Sequence, residues 1–380
     1  YQVAMVRVLV AGHSGLDKQR WLARLVSYAK SRGINDIWAR DFDSMLSMTM
    51  PYFLDSFLER QRNRWFEVAA KILSEIESSG AEHAIVSMHL TYFRHNNYWS
   101  LIDINTLREF KFDMVITLID DAYSVWKRII DRESRERHGV YVRLRDVFIW
   151  RTIELMMADT VASALGIRNY MVAVKHPIET FYNLIFTNKP KIYLSHPISN
   201  VRGDEKAVSE INNFIRLIKD VSTVFEPTTI DEAIIEAVCR GGQGCVIDRH
   251  HRWPLIDYDD SQEYPIKLNM DEVNEVIARN PITKRNLIQD QIMRRDFRYI
   301  EQSDMVVAYR PKYRGMLSSG VLSEVTIAVQ LGKPVYVYWP EEDGNMAENP
   351  FEYVHEYFSN IDELLKVLGD LSGEVKLNNK

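Results

Sequence analysis

The stretch DFRYIEQSDMVVAYRPKYRGMLSSGVLSEVTIAVQLGKPVYVYWP, from Asp296 to Pro340, decides the fold of the second half of the chain. Its apolar spacing predicts the end of a helix, the strand DMVVAYRP, a Gly/Ser turn, a second helix and the buried strand KPVYVYWP. Buried strands joined through a helix are typical of a parallel sheet. Such sheets bind ligands at the carboxyl ends of their strands, where free N–H groups of a helix N-terminus favour an anion.

The same alternation of strands and helices extends in both directions from this stretch. Upstream, the pattern predicts a strand and turn at Lys191–Ser199 and an amphipathic helix at Glu205–Lys219. Residues 239–290 are rich in Gly, Asp, Arg, His and Pro, and we interpret them as a long insertion. The first half has four apolar runs that predict strands with helices between them, at Val6–Gly12, His83–Leu90, Phe112–Asp120 and Asn169–His176.

Composition restricts the classes of function. The chain has 380 residues, 46% hydrophobic and 26% charged, which indicates a globular protein with two domains. Its net charge of −6 makes nucleic acid an unfavourable partner, and there is no apolar run of about 18 residues to span a membrane. Two cysteines cannot form a disulfide framework, which favours a cytoplasmic location. Zinc binding by Cys239, Cys245, His250 and His251 is an alternative to a plain loop, but their spacing is not that of a standard zinc site. We predict no metal and no cofactor.

The Gly/Ser turn and the helix after it contain the candidate site. Ser318, Ser319 and Gly320 stand at the predicted helix N-terminus, where they are candidates to bind a phosphate. Glu324 lies one to two turns further on, close enough to face the same crevice. An acidic residue early in a helix also has a structural use, since it interacts favourably with the helix dipole.

Over most of residues 190–340 the sequence resembles the nucleoside 2-deoxyribosyltransferase superfamily. The resemblance implies a site made of Tyr193 in IYLSHPI, Asp296 and Glu324. Ser318 and Gly320 stand six and four residues before the glutamate. This offset matches the branch of the superfamily that hydrolyses deoxynucleoside 5′-monophosphates.

The resemblance also implies a mechanism like that of retaining glycosidases. Glu324 would attack the anomeric carbon and displace the base, and water or a second base would resolve the ester. Asp296 would bind or protonate the departing base, and Tyr193 would position the glutamate or the sugar. The structural alternatives are that Asp296 pairs with Arg294 or Arg298 on a solvated helix face, and that Tyr193 belongs to the core. His196 stands where the superfamily usually has glycine, so its side chain must narrow the pocket or contribute to it.

A second motif follows the first predicted strand. GHSGLDKQ opens a helix, which is the context of a phosphate-binding P-loop with the pattern GxxxxGK[ST]. Gly12 and Lys18 fit the pattern, and Gly15 lies within the loop. Asp17 replaces the second glycine and Gln19 replaces the hydroxyl that binds magnesium. An aspartate inside a phosphate cradle is electrostatically unfavourable.

Residues 6–176 resemble archaeal-type adenylate kinase, through LTYFRHNNYW, FDMVITLIDDAYSVWKR and DRESRERHG. The resemblance implies lid arginines that bind nucleotide phosphates, and the candidates are Arg128, Arg132, Arg135 and Arg137. Ser87 stands where that family has an aspartate, so Gln19 and Ser87 together remove the usual routes for holding magnesium. We interpret the domain as a degenerate kinase that acts as a nucleotide sensor, docking platform or dimer scaffold. An active, unusual kinase and a solvated arginine-rich helix face are the alternatives.

Together these patterns predict an α/β protein with two domains. Residues 1–187 form a P-loop kinase-like parallel sheet, and residues 188–380 form a flavodoxin-like or Rossmann-like parallel sheet with the insertion at about 239–290. The expected function is hydrolysis of the N-glycosidic bond of (deoxy)nucleoside 5′-monophosphates or a related nucleotide. Base exchange between nucleosides and a non-catalytic nucleotide sensor are the alternatives. The expected partners are a nucleotide or nucleoside substrate and a second copy of the chain in a homodimer or larger assembly.

Overall fold

The computed structural model describes residues 5–50, 52–136, 141–240 and 244–374, which form two compact units. Unit 1 comprises the described residues up to Val174 together with Ile234–Ile247 and Glu263–Asn280. Unit 2 comprises Lys175–Ala233, Asp248–Gln262 and the described residues from Pro281 onward. The segment interpreted as one insertion is therefore divided, with its centre in unit 2 and its flanks largely in unit 1.

The strands of the described residues are as follows, in chain order: β1 (Arg7–Ala11), β2 (Ile37–Asp41), β3 (His83–Met88), β4 (Tyr92–Arg94), β5 (Asn97–Trp99), β6 (Met114–Ile119), β7 (Arg168–Ala173), β8 (Lys191–Ser195), β9 (Thr223–Phe225), β10 (Cys245–Ile247), β11 (Ile266–Leu268), β12 (Met305–Tyr309), β13 (Lys312–Tyr313), β14 (Met316–Leu317), β15 (Val335–Tyr338) and β16 (Glu356–Phe358). The helices are α1 (Lys18–Ser31), α2 (Phe42–Thr49), α3 (Leu58–Ser79), α4 (Ile104–Glu109), α5 (Ala122–Glu136), α6 (Leu144–Leu165), α7 (Ile178–Phe186), α8 (Glu205–Ile218), α9 (Ala233–Cys239), α10 (Met270–Ile277), α11 (Leu287–Gln302), α12 (Ser319–Gln330) and α13 (Ile361–Glu374).

Unit 1 is built on a five-stranded parallel sheet with the order β2-β3-β1-β6-β7. The central strand β1 is apolar and buried, as its continuous run of Val, Leu and Ala requires of a strand covered on both faces. Helix α3 supports one face of the sheet with Trp65, Val68 and Ile72 in its core. The edge strand β2 was not predicted, because IWARD is only partly buried and lacks a continuous apolar run.

Unit 2 is built on a second five-stranded parallel sheet with the order β16-β15-β12-β8-β9. Numbered by position in the chain, this is the order 2-1-3-4-5 of flavodoxin-like folds. Helix α8 follows β8 and buries its apolar stripe, which includes Ile211, Phe214 and Ile218. The predicted fold class, α/β with two parallel sheets, is confirmed. The short strands β9 and β16, of three residues each, were not predicted.

The segment interpreted as irregular has structure of its own. It contains helix α10 and the antiparallel hairpin of β10 and β11. The two cysteines, Cys239 at the end of α9 and Cys245 in β10, are joined as a disulfide. The prediction did not include this local pairing. None of the described helices is long and apolar enough to cross a membrane.

Candidate functional site

The strand order of unit 2 indicates where a ligand crevice is expected. The connections that leave β8 and β12 run to opposite sides of the sheet, and doubly wound sheets bind ligands in the crevice beyond the carboxyl ends of two such strands. The two strands are neighbours in the sheet, with Tyr193 opposite Val306. Helix α12 packs against both strands and carries Glu324. The predicted residues Tyr193 and Glu324 therefore meet at this crevice.

Two hydroxyl groups of β8 hold the carboxyl group of Glu324. Tyr193 donates to Oε1 at 2.9 Å, and Ser195 donates to Oε2. The two donors are two residues apart on a strand, so their side chains project from the same face of the sheet. Burial and the nearby Asp296 carboxylate raise the pKa of Glu324 to about 8, although the hydrogen bonds from Ser195 and Tyr193 oppose this rise.

Asp296 lies on α11 and is buried beside its chain neighbour Arg295. The guanidinium of Arg295 places Nε 3.0 Å and Nη2 2.9 Å from the same carboxylate oxygen, and its Nη1 donates to the main-chain oxygen of Ile230. Burial raises the pKa of Asp296, Arg295 pulls it down, and Glu226 adds a smaller upward effect. The predicted alternative of a solvated helix face is wrong, because this aspartate is 9% exposed and its ion pair is with Arg295.

His196 follows β8 directly and is only 3% exposed. Its ring lies 5.4 Å from that of Trp253, and Nδ1 is 3.0 Å from the carbonyl oxygen of Pro197. Its Nε2 lies 3.6 Å from Oε1 of the buried Glu226. Burial alone would raise the pKa of Glu226, but His196 and a hydrogen bond from Thr228 lower it below its usual value. His196 is therefore buried beside Trp253 and Glu226, and its predicted effect on the pocket stays a prediction.

Sequence reasoning missed three residues of this cluster: Ser195, Glu226 and Arg295. The alternation of side chains along a strand offered a signal for Ser195, two residues after Tyr193. Glu226 follows a strand too short to be recognised, so nothing in the local pattern marked it.

The Gly/Ser turn forms the N-terminus of α12, as predicted. Ser318 caps this helix, and its hydroxyl oxygen accepts from the main-chain N–H of Val321 at 3.4 Å. Ser319 and Gly320 are exposed in the first turn, where main-chain N–H groups have no partner within the helix. A side chain added at Gly320 would approach only the Ser318 hydroxyl, at 3.8 Å, so packing does not demand glycine here.

In unit 1 the loop from Gly12 to Asp17 connects β1 to α1 in the manner of a P-loop. A side chain at Gly12 would lie 2.7 Å from a terminal methyl group of Leu16, so this leucine would have to shift to make room for it. Gly15 has φ +86°, and Asp17 has φ 53° in the left-handed region that favours glycine. Asp17 therefore occupies the backbone position of the missing glycine, and its side chain is exposed.

The basic residue of this loop is bonded to the chain itself. Lys18 donates through Nζ to the carbonyl oxygen of Gly12 at 2.7 Å and lies 3.9 Å from Asp43. Gln19 donates to the hydroxyl of Ser44 in α2. The resemblance to adenylate kinase implied that Ser87 replaces a metal-binding aspartate. A carboxylate nevertheless lies close to this serine. Ser87 donates to Asp41 at 2.6 Å, and Asp41 ends the strand β2 that was not predicted.

Arg128 is the one predicted lid arginine that contacts the loop backbone among the described residues. It donates to the carbonyl oxygen of Gly15 at 2.7 Å, to Asp120 at 2.5 Å and to Glu263 at 2.6 Å. Two carboxylates and a carbonyl thus compensate its charge.

The remaining arginines of the group differ in position. Arg132 donates to the hydroxyl of Ser14 in the loop at 2.9 Å. Arg135 donates to the main-chain oxygen of Asp131 on its own helix, at 3.2 Å, so the structure does not bring it to the loop. Arg137 lies outside the described residues.

The zinc alternative loses its sulfur ligands because Cys239 and Cys245 are bonded to each other. Donor atoms of Asp248, His250 and His251 lie within 4.8 Å of one another, but one ring nitrogen of His251 accepts the main-chain N–H of Asp248. The described residues thus offer no set of four ligands at this place.

Comparisons with known proteins give no family model and no curated relative that matches this chain. Among solved structures, the chain is similar to a shikimate kinase from Bacteroides thetaiotaomicron, at 12% identity and TM-score 0.28, over 45% of this chain and 87% of that one. It is also similar to a putative kinase from Chloroflexus aurantiacus, at 13% identity and TM-score 0.29, over 46% and 87% of the two chains. A third similarity is to a structure of the PezAT chromosomal toxin–antitoxin system of Streptococcus pneumoniae, at 13% identity and TM-score 0.30, over 45% and 68%.

These similarities concern fold alone, and at such identities and TM-scores they carry no argument about activity. Two of the three proteins are described as kinases. None of the three is described as a deoxyribosyltransferase, so that resemblance stays a prediction.

Proposed function

We propose that unit 2 cleaves the N-glycosidic bond of a (deoxy)nucleoside 5′-monophosphate or a related nucleotide, with Glu324 as the nucleophile. The observation that carries this proposal is that hydroxyl groups of Tyr193 and Ser195 hold both oxygens of the Glu324 carboxyl group. A carboxyl group fixed in this way loses little orientational freedom when it attacks, which is a large part of what a catalytic site supplies.

The charge environment supports the same chemistry. Cleavage of an N-glycosidic bond develops positive charge on the sugar, as in glycosidases. In the free protein the ionised form of Glu324 is disfavoured, because burial and Asp296 raise its pKa to about 8. A developing cation would relieve this repulsion, so the carboxylate would interact more strongly with the transition state than with the ground state.

The reaction takes two steps. In the first, a Glu324 oxygen forms a bond to the anomeric carbon, and the bond to the base nitrogen breaks with its electron pair passing to the base, which takes up a proton. In the second, the oxygen of water bonds to the same carbon, the ester bond breaks and Glu324 is regenerated while the water loses a proton. A second base in place of water would give base exchange.

The start of α12 supports a phosphorylated substrate. Ser319 and Gly320 are exposed in its first turn, one turn before Glu324 on the same helix. The free N–H groups and dipole of a helix N-terminus favour an anion. A 5′-phosphate bound there would hold the sugar within reach of the carboxyl group.

For unit 1 we propose nucleotide binding without phosphoryl transfer. The specific observation is that Gln19, in the position of the magnesium-binding hydroxyl, is hydrogen bonded to Ser44, and Lys18 is bonded to Gly12. Magnesium-ATP should therefore raise the thermal stability of the protein by mass action without formation of ADP. ADP formation above the background of a Lys18→Met variant would contradict this proposal.

The glycosidase proposal is tested by incubating the protein with ribo- and deoxyribonucleoside 5′-monophosphates and measuring free base by chromatography. The Glu324→Gln variant keeps the shape of the side chain and removes the nucleophile. Glu301→Gln, on an exposed position of α11, is the matched control. We expect base release by the wild type and the control and at least a 1,000-fold loss in Glu324→Gln, on the order of the effect of removing a nucleophile. Absence of base release from every nucleotide, or equal release by all three proteins, would overturn the proposal.

A further inference from the structure

The departing base needs a proton, and one oxygen of Asp296 is already held by its neighbour. Both of its close contacts with Arg295 come from a guanidinium group that is always charged, at 3.0 and 2.9 Å on one oxygen. That oxygen accepts hydrogen bonds and is suited to stabilise positive charge. Burial raises the pKa of Asp296, so this carboxyl group and a second titratable group of the crevice are the two candidates to donate the proton.

His196 is a buried titratable group at the carboxyl end of β8 that the mechanism has not used. It is the first residue after β8, adjacent in the chain to Ser195, whose hydroxyl holds Glu324. It therefore stands at the carboxyl end of the strand where the sheet order changes, and ligands of doubly wound sheets bind there.

The two ring nitrogens of His196 have different environments. Nδ1 is 3.0 Å from the carbonyl oxygen of Pro197, and a carbonyl only accepts, so Nδ1 carries a hydrogen. Nε2 is buried and has no hydrogen-bond partner among the described residues. Oε1 of Glu226 lies 3.6 Å from Nε2, and this distance is too long for a good hydrogen bond.

Glu226 completes the arrangement. Thr228 donates its main-chain N–H and its hydroxyl to Oε1, which fixes the carboxylate. The pKa of Glu226 is lowered despite its burial, with His196 the largest cause in that direction, so an ionised carboxylate stands beside the ring. A second hydrogen on Nε2 would face this carboxylate, 3.6 Å away.

We infer that His196, held by Glu226, donates the proton to the leaving base, and that Asp296 does not. The inference rests on the proposed function of Glu324. When the bond between the anomeric carbon and the base breaks, its electron pair passes to the base and the Nε2 proton of His196 moves to the base. The neutral ring then accepts a proton from the attacking water, whose oxygen displaces Glu324, and the resting state is restored.

The test compares two leaving groups on His196→Gln. One is the base of whichever nucleotide the wild type cleaves. The other is fluoride, on the glycosyl fluoride 5-phosphate of the same sugar, which leaves without a proton. We expect kcat/KM of His196→Gln to fall at least about 100-fold on the nucleotide and to stay within about threefold on the fluoride, because general acid catalysis contributes about 100- to 10,000-fold. His250→Gln, an exposed histidine of unit 2, is the control and should match the wild type on both.

Every other result decides against the inference. An equal loss on both substrates would show that His196 has only a structural role, and no loss on either would show that it has none in the reaction. Asp296→Asn should lose activity on both leaving groups alike. A loss confined to the nucleotide in that variant would identify Asp296 as the acid instead. If the wild type releases base from no nucleotide, the proposed function fails first, and that outcome is distinct from the others.

Discussion

Replacing Glu324 by glutamine should make the protein more stable, and the gain should grow with pH. The pKa of Glu324 is raised from 4.5 to about 8 in the folded protein. Between these two values the folded chain binds a proton that the unfolded chain has released. Stability that the neutral carboxyl group contributes at low pH is therefore lost as pH rises through this window. Glutamine cannot ionise, so the variant does not lose it.

The size of the effect follows from the width of the window. The two pKa values differ by about 3.5, and each unit corresponds to 1.36 kcal/mol, so the upper limit is about 5 kcal/mol. Glu324 is partly exposed and keeps some hydration, which reduces the effect, and we expect about 2–3 kcal/mol at about pH 9. Near pH 4.5 the difference should be small, because the carboxyl group is then neutral in the folded state and about half neutral in the unfolded state.

The assay is urea denaturation of wild type and Glu324→Gln at about pH 5, 7 and 9, followed by circular dichroism. Because the chain has two units, the transition assigned to unit 2 is the one to compare. Glu301→Gln, on the exposed face of α11, should show no dependence on pH relative to wild type. A difference between Glu324→Gln and wild type that stays constant from pH 5 to pH 9, or that shrinks as pH rises, would refute the reasoning about burial.

Three further predictions follow from single contacts. The acidic limb of the pH–rate profile for base release should follow the ionisation of Glu324, whose pKa is about 8, and Tyr193→Phe should move this limb to higher pH, since the Tyr193 hydrogen bond lowers the pKa of Glu324; an unchanged pH–rate profile would contradict this. Gly12→Ala should destabilise unit 1 by about 1 kcal/mol or less in urea denaturation, because the added carbon lies 2.7 Å from the movable end of the Leu16 side chain, and a loss of more than about 3 kcal/mol would contradict this. Glu154→Ala should cost about 3 kcal/mol or more, because this buried side chain accepts two consecutive main-chain N–H groups at 2.8 Å, and a loss below about 1 kcal/mol in the same assay would contradict it.

The fold of unit 2 was largely predictable because its central strands are apolar on both faces. In Val335–Tyr338 and Met305–Tyr309 every residue is apolar or aromatic, whereas an amphipathic helix would alternate apolar and polar positions every three to four residues. The strands at the edges, β9 and β16, are three residues long and carry too few apolar positions to form a pattern. The resemblance to the deoxyribosyltransferase superfamily implied that Tyr193 positions Glu324 or the sugar, and the two side chains are hydrogen bonded. The catalytic roles of both stay predictions.

In unit 1 the missed strand β2 had a chemical consequence. Without it, Asp41 had no assigned place, and Ser87 was interpreted as the loss of a metal-binding carboxylate. The structure brings the two together at 2.6 Å. Asp41 and Ser87 are 46 positions apart in the chain, and they meet because β2 and β3 are neighbours in the sheet. The spacing of apolar residues along the chain does not reveal the order of strands. The pairing of Asp296 with Arg295 depends in the same way on tertiary packing, since two neighbours on a helix point in different directions unless burial turns them together.

The balance of charge separates the two candidate sites and favours unit 2 for chemistry. Around the loop of unit 1, Lys18 and Arg128 already donate to main-chain carbonyl groups of that loop, so a phosphate would have to compete with bonds that exist. In the crevice of unit 2, the carboxyl groups of Glu226, Asp296 and Glu324 interact with Arg295, His196 and His176. Burial and the nearby Asp296 nevertheless disfavour the ionised form of Glu324, and positive charge that develops nearby would relieve this cost. A sugar that becomes cationic as its base departs would supply that charge at the moment of reaction, and for this reason we propose that the catalytic step takes place in unit 2.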